Sequence, residues 1–413
     1  MAQYIKTIKV NSLFHLKGFE IPVGNEKNPH LLITGKNGSG KTVLLNAVAD
    51  VFDIIKGDMK LAFMGYYDNL EREKANYDKT SNIRQKALYK ENIRNWENKI
   101  EKLYGKVIVE IPNIVDIIEK YDKERFIIVF YPAGRRAEFE EPESIQKPVI
   151  VKKTRVRQTN THQLLKYLSH NKVQGMFAKV NGNKEKEAAL NNWFANFERI
   201  IKTIFDDENL RICFNENNYS FTIETNEKRF DFNHLSDGYS AVLNIVADLI
   251  LRMQGNDSVT ADFDMEGIVL IDEIETHLHL ELQKNVMPLL TALFPNIQFI
   301  VTTHSPFVLS SMKNAMAYDL EHREPVDNLT QYSYESLAEG YFGVTNESGY
   351  IQDQLSLMEE LLKNDNLRDS QKNDLKRMIA DFEKIPSAVA PTVVGQYRKL
   401  RNDYFERIKD LGI

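Results

Sequence analysis

A chain of 413 residues with 42% hydrophobic content is long enough for one large α/β core plus an inserted lobe, and its composition is ordinary for a globular protein. Its formal net charge of -6 excludes a generally basic, nucleic-acid-coating surface, although local basic patches remain compatible with it. A single cysteine, Cys213, excludes an internal disulfide framework and suits a reducing compartment.

The chain opens on an alternating strand pattern instead of a basic segment followed by an apolar one, and no apolar stretch reaches the length of a membrane span. A soluble cytoplasmic protein without membrane contact is therefore expected. The apolar run Leu31-Leu32-Ile33-Thr34 leads directly into Gly35-Lys36-Asn37-Gly38-Ser39-Gly40-Lys41-Thr42, a complete GxxxxGK[ST] phosphate loop. Glycines at 35, 38 and 40 let backbone N–H groups turn toward a polyphosphate, with Asn37 and Ser39 between them. Lys41 reaches the β and γ phosphates, and the Thr42 hydroxyl ligates Mg²⁺. Residues 43–52 follow as a helix whose N-terminus faces the same anion, so ATP and Mg²⁺ are the expected ligands.

Residues 66–103 are highly charged, and Tyr77, Ile83, Leu88, Ile93 and Trp96 are too sparse for sustained heptads. Short amphipathic helices are expected there. Strands at 106–111 and 125–131 flank a helix at 114–121, and residues 138–148 read as an acidic, proline-containing loop. Lys152, Lys153, Arg155 and Arg157 form the most basic cluster in the chain, the best candidate for contact with nucleic acid phosphates. A helical stretch at 161–205 carries Trp193, Phe194 and Phe197 as core aromatics. Strands at 210–214, with Cys213 as a buried thiol, and at 219–223 are joined by the turn signal Asn215-Glu216-Asn217-Asn218.

Residues 233–240, Asn-His-Leu-Ser-Asp-Gly-Tyr-Ser, precede a helix at 241–253. Ser236 and Gly238 at its start make a second anion site through hydroxyl, backbone N–H and helix dipole, or else Ser236 is an ordinary helix cap with Asp237 in the first turn. Residues 267–271 form a continuous apolar run ending in Asp272-Glu273, the pattern of a central parallel strand. Asp272 there holds Mg²⁺, and Glu273 orients the attacking water as general base. His277 and His279 follow without a third ligand at metal-site spacing. A further strand at 298–303 ends at His304, whose imidazole is placed to touch the γ phosphate. Past it, Tyr332, Tyr334, Tyr341 and Phe342 mark an aromatic connection to helices at 348–382 and 393–411, separated by Pro386 and Pro391. These aromatics are candidate anchors for a docking surface.

In this order, the phosphate loop, the LSDGY segment, the strand ending in Asp272-Glu273 and His304 resemble the SMC/RecF-type ABC ATPases. The resemblance is to the compact bacterial group that includes the OLD-nuclease ATPase domains and the Septu-like defence ATPases. Asp272-Glu273-Ile274-Glu275-Thr276-His277-Leu278-His279 looks like that group's DEPExHLH segment, and residues 4–10 and 14–21 look like its N-terminal hairpin. No strand-ending DxD of a Toprim nuclease follows. The resemblance implies an α/β P-loop NTPase of ABC type: a mixed sheet with an antiparallel N-terminal hairpin, an inserted helical lobe and a C-terminal helical extension. It divides the chain at 1–65 (hairpin and phosphate loop), 66–135 (charged helical insertion, return strands and Q-loop-like segment), 136–232 (helical lobe), 233–330 (signature to His304) and 331–413 (extension).

It further implies an ATPase that forms a homodimer or higher homo-oligomer around ATP, with Ser236 and Gly238 of one subunit facing the other's nucleotide. Such a subunit would regulate a prokaryotic anti-phage system with a separate effector nuclease or toxin. The alternative is a DNA-repair or chromosome-associated ATPase that clamps DNA directly; a transporter subunit fits the large insertion less well. Two departures bear on mechanism. No glutamine marks the Q-loop, where Arg135 or Arg136 serves the phosphates or a neighbouring subunit, or lies in a solvated loop. Asp237 would repel a γ phosphate unless turned toward another subunit or toward backbone N–H groups, so slow hydrolysis is expected.

Overall fold

The computed structural model describes residues 4–24, 30–57, 59–152, 155–226, 228–254, 263–312, 314–326, 349–364, 366–384 and 391–411. The chain divides into two compact units, Met1–Leu337 and Ala338–Ile413.

In the first unit, β1 (Thr7–Leu13) and β2 (Leu16–Pro22) form the expected antiparallel hairpin, and β4 (Val107–Glu110) extends it on the β1 side. The central sheet has six strands. Its order is β12-β11-β3-β10-β9-β5, formed by β3 (His30–Thr34), β5 (Phe126–Tyr131), β9 (Glu266–Ile271), β10 (Ile297–Thr302), β11 (Ala315–Asp319) and β12 (Glu324–Val326). All neighbours are parallel except the edge strand β12. Every residue of β3, β5 and β10 is buried, which is why these segments read as unbroken apolar runs. A strand, β10, separates the phosphate-loop strand β3 from β9, so the carboxyl ends of three neighbouring strands converge on one edge. This is the expected α/β architecture, a mixed sheet with an antiparallel N-terminal hairpin and an inserted helical lobe.

Helix α1 (Lys41–Lys56) packs Leu44, Leu45, Val48 and Phe52 into the core. The charged segment forms two helices of 20 and 22 residues, α2 (Lys60–Lys79) and α3 (Ile83–Tyr104), longer than the short pieces expected. They persist because they pair, Phe63 of α2 meeting Tyr104 of α3 and Tyr66 meeting Trp96, and Asn82 caps α3 through the N–H groups of Arg84 and Gln85. Helix α4 (Ile114–Asp122) then precedes β5. The long helical stretch is broken at Gly182, φ 68°, into α5 (Leu164–Val180) and α6 (Lys184–Phe205). Trp193 stacks on Phe197 in this lobe. Beside it lies the sheet β6-β7-β8, from β6 (Arg211–Phe214), β7 (Phe221–Glu224) and β8 (Arg229–Asp231), the last not anticipated. Cys213 is half-buried, not fully buried, and burial pushes its thiol up. Helix α7 (Asp237–Arg252) buries every residue from Gly238 to Arg252 except Tyr239.

The second unit is helical, with Gly349–Lys363, Asp369–Glu383, Pro391–Asp403 and Phe405–Asp410. It has its own core of Leu355, Met358, Leu362, Leu375, Phe382 and Tyr397. Pro391 opens a helix, and Pro386, Tyr332, Tyr334, Tyr341 and Phe342 lie outside the described residues. No helix among the described residues is long and apolar enough to cross a membrane.

Candidate functional site

The loop after β3 turns through Gly35, Gly38 and Gly40 at φ 134°, 84° and 99°, the region that side-chain-bearing residues avoid. Asn37 sits exposed at its tip. Gly40 is also needed for space, since a Cβ there would lie 3.0 Å from Leu16 Cδ1 and 3.3 Å from the His15 ring. His15 Nε2 is 3.0 Å from the Ser39 carbonyl, so the hairpin touches the loop through His15, while the Lys17 carbonyl accepts from Arg323 at 3.4 Å. Lys41 is 5% exposed, and its Nζ donates to the carbonyls of Gly35 (2.8 Å) and Lys36 (3.1 Å). Burial lowers its pKa, opposed by the charges of Glu273, Glu275, Asp272 and Asp319.

The carboxyl end of β9 meets this loop. Asp272 is buried and its Oδ1 accepts from Thr42 Oγ1 at 3.1 Å and from Thr302 Oγ1 at 2.6 Å. Thr302 Oγ1 in turn accepts the Glu273 N–H at 2.7 Å. Thr42, Asp272 and Glu273 are therefore assembled from α1, β9 and the turn after it, and a threonine at the end of β10 locks them together. Sequence reasoning missed Thr302; its signal was a hydroxyl on the last residue of a buried strand beside β9. Glu275 accepts the backbone N–H of His304, its other oxygen is buried without a hydrogen-bond partner among the described residues, and burial pushes its carboxyl up. Half-buried His304 is thereby joined to the same turn. Burial and then the charge of Lys41 lower its imidazole below the ordinary value, so the ring is neutral at pH 7.

Ser236 begins α7 but its side chain makes no cap hydrogen bond. Exposed, it leaves both its hydroxyl and the helix N-terminus open. Asp237 does not turn into the backbone; its carboxylate lies 3.7 Å from the exposed Arg136 guanidinium. Gly238 is buried against the turn that follows Glu273, where a Cβ would come within 2.8 Å of the His277 carbonyl. Alanine at 238 gains helix propensity of up to about 1 kcal/mol, but the clash is with backbone that cannot rotate away. Gly238→Ala should therefore lose about 1–3 kcal/mol of stability in urea melts; unchanged stability would mean that the turn yields.

Two expectations need correction. Arg135 is neither solvated nor placed for phosphates. It is 5% exposed and donates to the backbone carbonyls of Asp272 and Ile274 at 2.9 and 2.6 Å. Two of the four residues of the basic cluster are paired within the chain: Arg157 with Asp50 and Asp53 of α1 at 2.8 and 3.0 Å, and Lys152 with Glu124 at 3.7 Å. Arg155 is exposed, and Lys153 lies outside the described residues. His279 caps α8 (Leu280–Leu293), its Nδ1 accepting the Leu282 N–H at 3.4 Å.

Residues 70–310 match the family described as "AAA domain, putative AbiEii toxin, Type IV TA system". That span contains Ser236, Asp272, Glu273 and His304, and the phosphate loop precedes it. The chain is 26% identical over 403 residues to the Septu protein PtuA of Bacillus mycoides (strain KBAB4), covering 93% of this chain and 51% of that protein. It is 44% identical over 87 residues to the Retron Ec83 probable ATPase of Escherichia coli, covering 21% of this chain and 16% of that protein. The chain thus spans about half the length, or less, of these curated relatives. A solved Smc head bound to the C-winged helix domain of ScpA aligns over 80% of this chain and 100% of its own, at 12% identity and a TM-score of 0.35.

Proposed function

Since the chain belongs to this AAA-domain family and is related to the Septu PtuA and retron ATPases, we propose that it binds Mg-ATP at residues 35–42, closes around it with a second copy, and hydrolyses it slowly. We further propose that it serves as the regulatory subunit of a prokaryotic anti-phage system whose nuclease or toxin is a separate protein. The observation that carries the ATPase reading is the junction at Asp272, where Thr42 and Thr302 meet one carboxylate oxygen beside Glu273.

The residues fit the ligand. Ser39 Oγ is buried without a hydrogen-bond partner among the described residues, and Thr42 and Asp272 offer adjacent hard oxygen donors of the kind magnesium takes. Bound there, Mg²⁺ would neutralise charge on the β and γ phosphates. Lys41 supplies the fixed positive charge inside the loop. Glu273, the next residue after Asp272, accepts a proton from the attacking water. His304, neutral, offers one N–H to the γ phosphate. The exposed Ser236 hydroxyl and the N-terminus of α7 are available to the nucleotide of a second copy. Asp237, held toward Arg136, is kept from opposing that approach. Direct DNA clamping is less well supported, because Lys152 and Arg157 are already paired.

A mixing experiment tests the composite site. Ser236→Arg should bind nucleotide as a monomer but not associate on adding ATP, and Lys41→Ala should lack a working phosphate loop. Their mixture forms one intact site, so its ATPase rate should exceed the sum of the two variants measured alone. A rate equal to that sum would reject the shared site.

A further inference from the structure

We propose that Arg135 is a positioning residue for Glu273: it grips the backbone of the turn 272–274 and so fixes where the Glu273 carboxylate points. The proposal rests on the ATPase reading above and adds a residue to it.

Glu273 has φ 42°, a left-handed backbone conformation uncommon outside glycine. Strain of this kind persists only where the surroundings over-determine it, and it concentrates where geometry matters for chemistry. Three groups bear on it here, and Thr276 of the same turn is one: its N–H meets the Glu273 carbonyl at 3.0 Å and its Oγ1 lies 3.4 Å from Glu273 Oε2. On one side Thr302 takes the Glu273 N–H through Oγ1 at 2.7 Å and the Ile274 N–H through its carbonyl at 3.2 Å. On the other, the Arg135 guanidinium spans the turn. Nη1 donates to the Asp272 carbonyl at 2.9 Å and Nη2 to the Ile274 carbonyl at 2.6 Å, with longer contacts of 3.4 and 3.5 Å to the carbonyl of Glu273 between them. Nη1 also reaches Pro132 O at 3.3 Å.

A buried arginine ordinarily pairs with a carboxylate. Among the described residues no carboxylate lies in ion-pair contact with Arg135; its partners are backbone carbonyls, three of them on a single turn. Burial draws its pKa down to about 10, with Glu275, Asp272 and Glu273 acting against the fall, so the group is charged at pH 7. Nε is buried without a partner among the described residues, an unmet group tolerated for the sake of the grip. The segment that carries Arg135 is itself anchored: Ala137 N–H donates to Ser240 Oγ at 3.0 Å and Asn244 Nδ2 to the Arg136 carbonyl at 3.0 Å, both on α7. A planar fork held this way presents two nitrogens at a fixed separation to two carbonyls two residues apart, a geometry that the single nitrogen of a lysine does not reproduce.

Steady-state ATPase kinetics on the full chain test the assignment. Arg135→Gln should lower kcat by about 10²-fold, the scale of a general base misplaced. KM for ATP should stay within about threefold, because only transition-state geometry is affected. Arg135→Lys, retaining the charge but placing its donors on one nitrogen, should recover part of the loss. In a Glu273→Gln background, Arg135→Gln should cost less than about a further threefold, since both changes act on one function. A KM rise at unchanged kcat, a fully additive double variant, or loss of cooperative unfolding in both Arg135 variants would each overturn the positioning role in favour of a structural one. Turnover by the wild type with unchanged kcat in Arg135→Gln overturns this inference alone; a wild type that fails to turn over ATP overturns the reading beneath it as well.

Discussion

Lys41→Ala should weaken ATP binding by about 2–3 kcal/mol, roughly 30- to 150-fold, the scale expected when a charge-assisted hydrogen bond is removed from a buried site. Two effects combine. The ammonium is the fixed positive charge of the loop, and it also ties the loop together through the carbonyls of Gly35 and Lys36. Its removal leaves Asp272, Glu273, Glu275 and Asp319, whose charges now bear on Lys41, uncompensated next to a polyphosphate. Glu273→Gln should behave oppositely. The amide keeps the shape of the turn and leaves Thr42 and Asp272 in contact, so affinity stays near wild type, while hydrolysis drops by about 10²–10⁴-fold for want of a base. Titration calorimetry separates the two, and equal ATP affinity in Lys41→Ala and wild type would sink the assignment of the phosphate loop.

Much of the site's frame was legible because its chemistry demands local patterns. A phosphate loop needs glycines at fixed offsets after a strand, and a strand buried on both faces has to be apolar throughout, so β3, β9 and β10 with their terminal residues could be read directly. What joins those ends could not. Thr302 and Arg135 act across the fold, on groups more than a hundred residues away in the case of Arg135, and neither leaves a spacing signature. Strand β11 escaped for another reason: Ala-Met-Ala-Tyr-Asp has no β-branched residue, and it is a strand because β3 offers it a parallel partner along five residue pairs. The basic cluster misled in the reverse direction. A compact run of positive charge looks available for phosphates, yet Arg157 faces Asp50 and Asp53 one helical turn apart on α1, and lies 5.4 Å over the Phe130 ring.

The buried charge pair at the far end of α7 should be the most sensitive point for stability. Asp248 is 0% exposed and Arg252 3%, one turn apart, with Arg252 Nε donating to Asp248 Oδ2 at 2.7 Å. The same carboxylate accepts from Tyr131 Oη at 2.7 Å and from the Asn160 N–H at 2.6 Å. It therefore ties the helix that begins at Ser236 to β5 and to the segment after the basic cluster. Tyr131 carries the connection on, since its carbonyl accepts the Asp272 N–H at 2.9 Å. In Asp248→Asn the guanidinium stays buried without its counter-charge and two donors meet an amide that is half donor itself, so urea melts should show a loss of about 3–5 kcal/mol. Lys56 sharpens the case: burial first, and the Arg252 charge next, draw its pKa down to about 7, with Asp53 and Asp248 supporting the charged form. Removing the Asp248 charge takes away part of that support. Replacing both partners by apolar residues, Asp248→Leu with Arg252→Met, removes the stranded charge along with the pair and should cost less than Asp248→Asn alone. A loss below about 1 kcal/mol in Asp248→Asn, the size of an exposed pair, would mean that water reaches this cluster and that α7 is held by its apolar face instead.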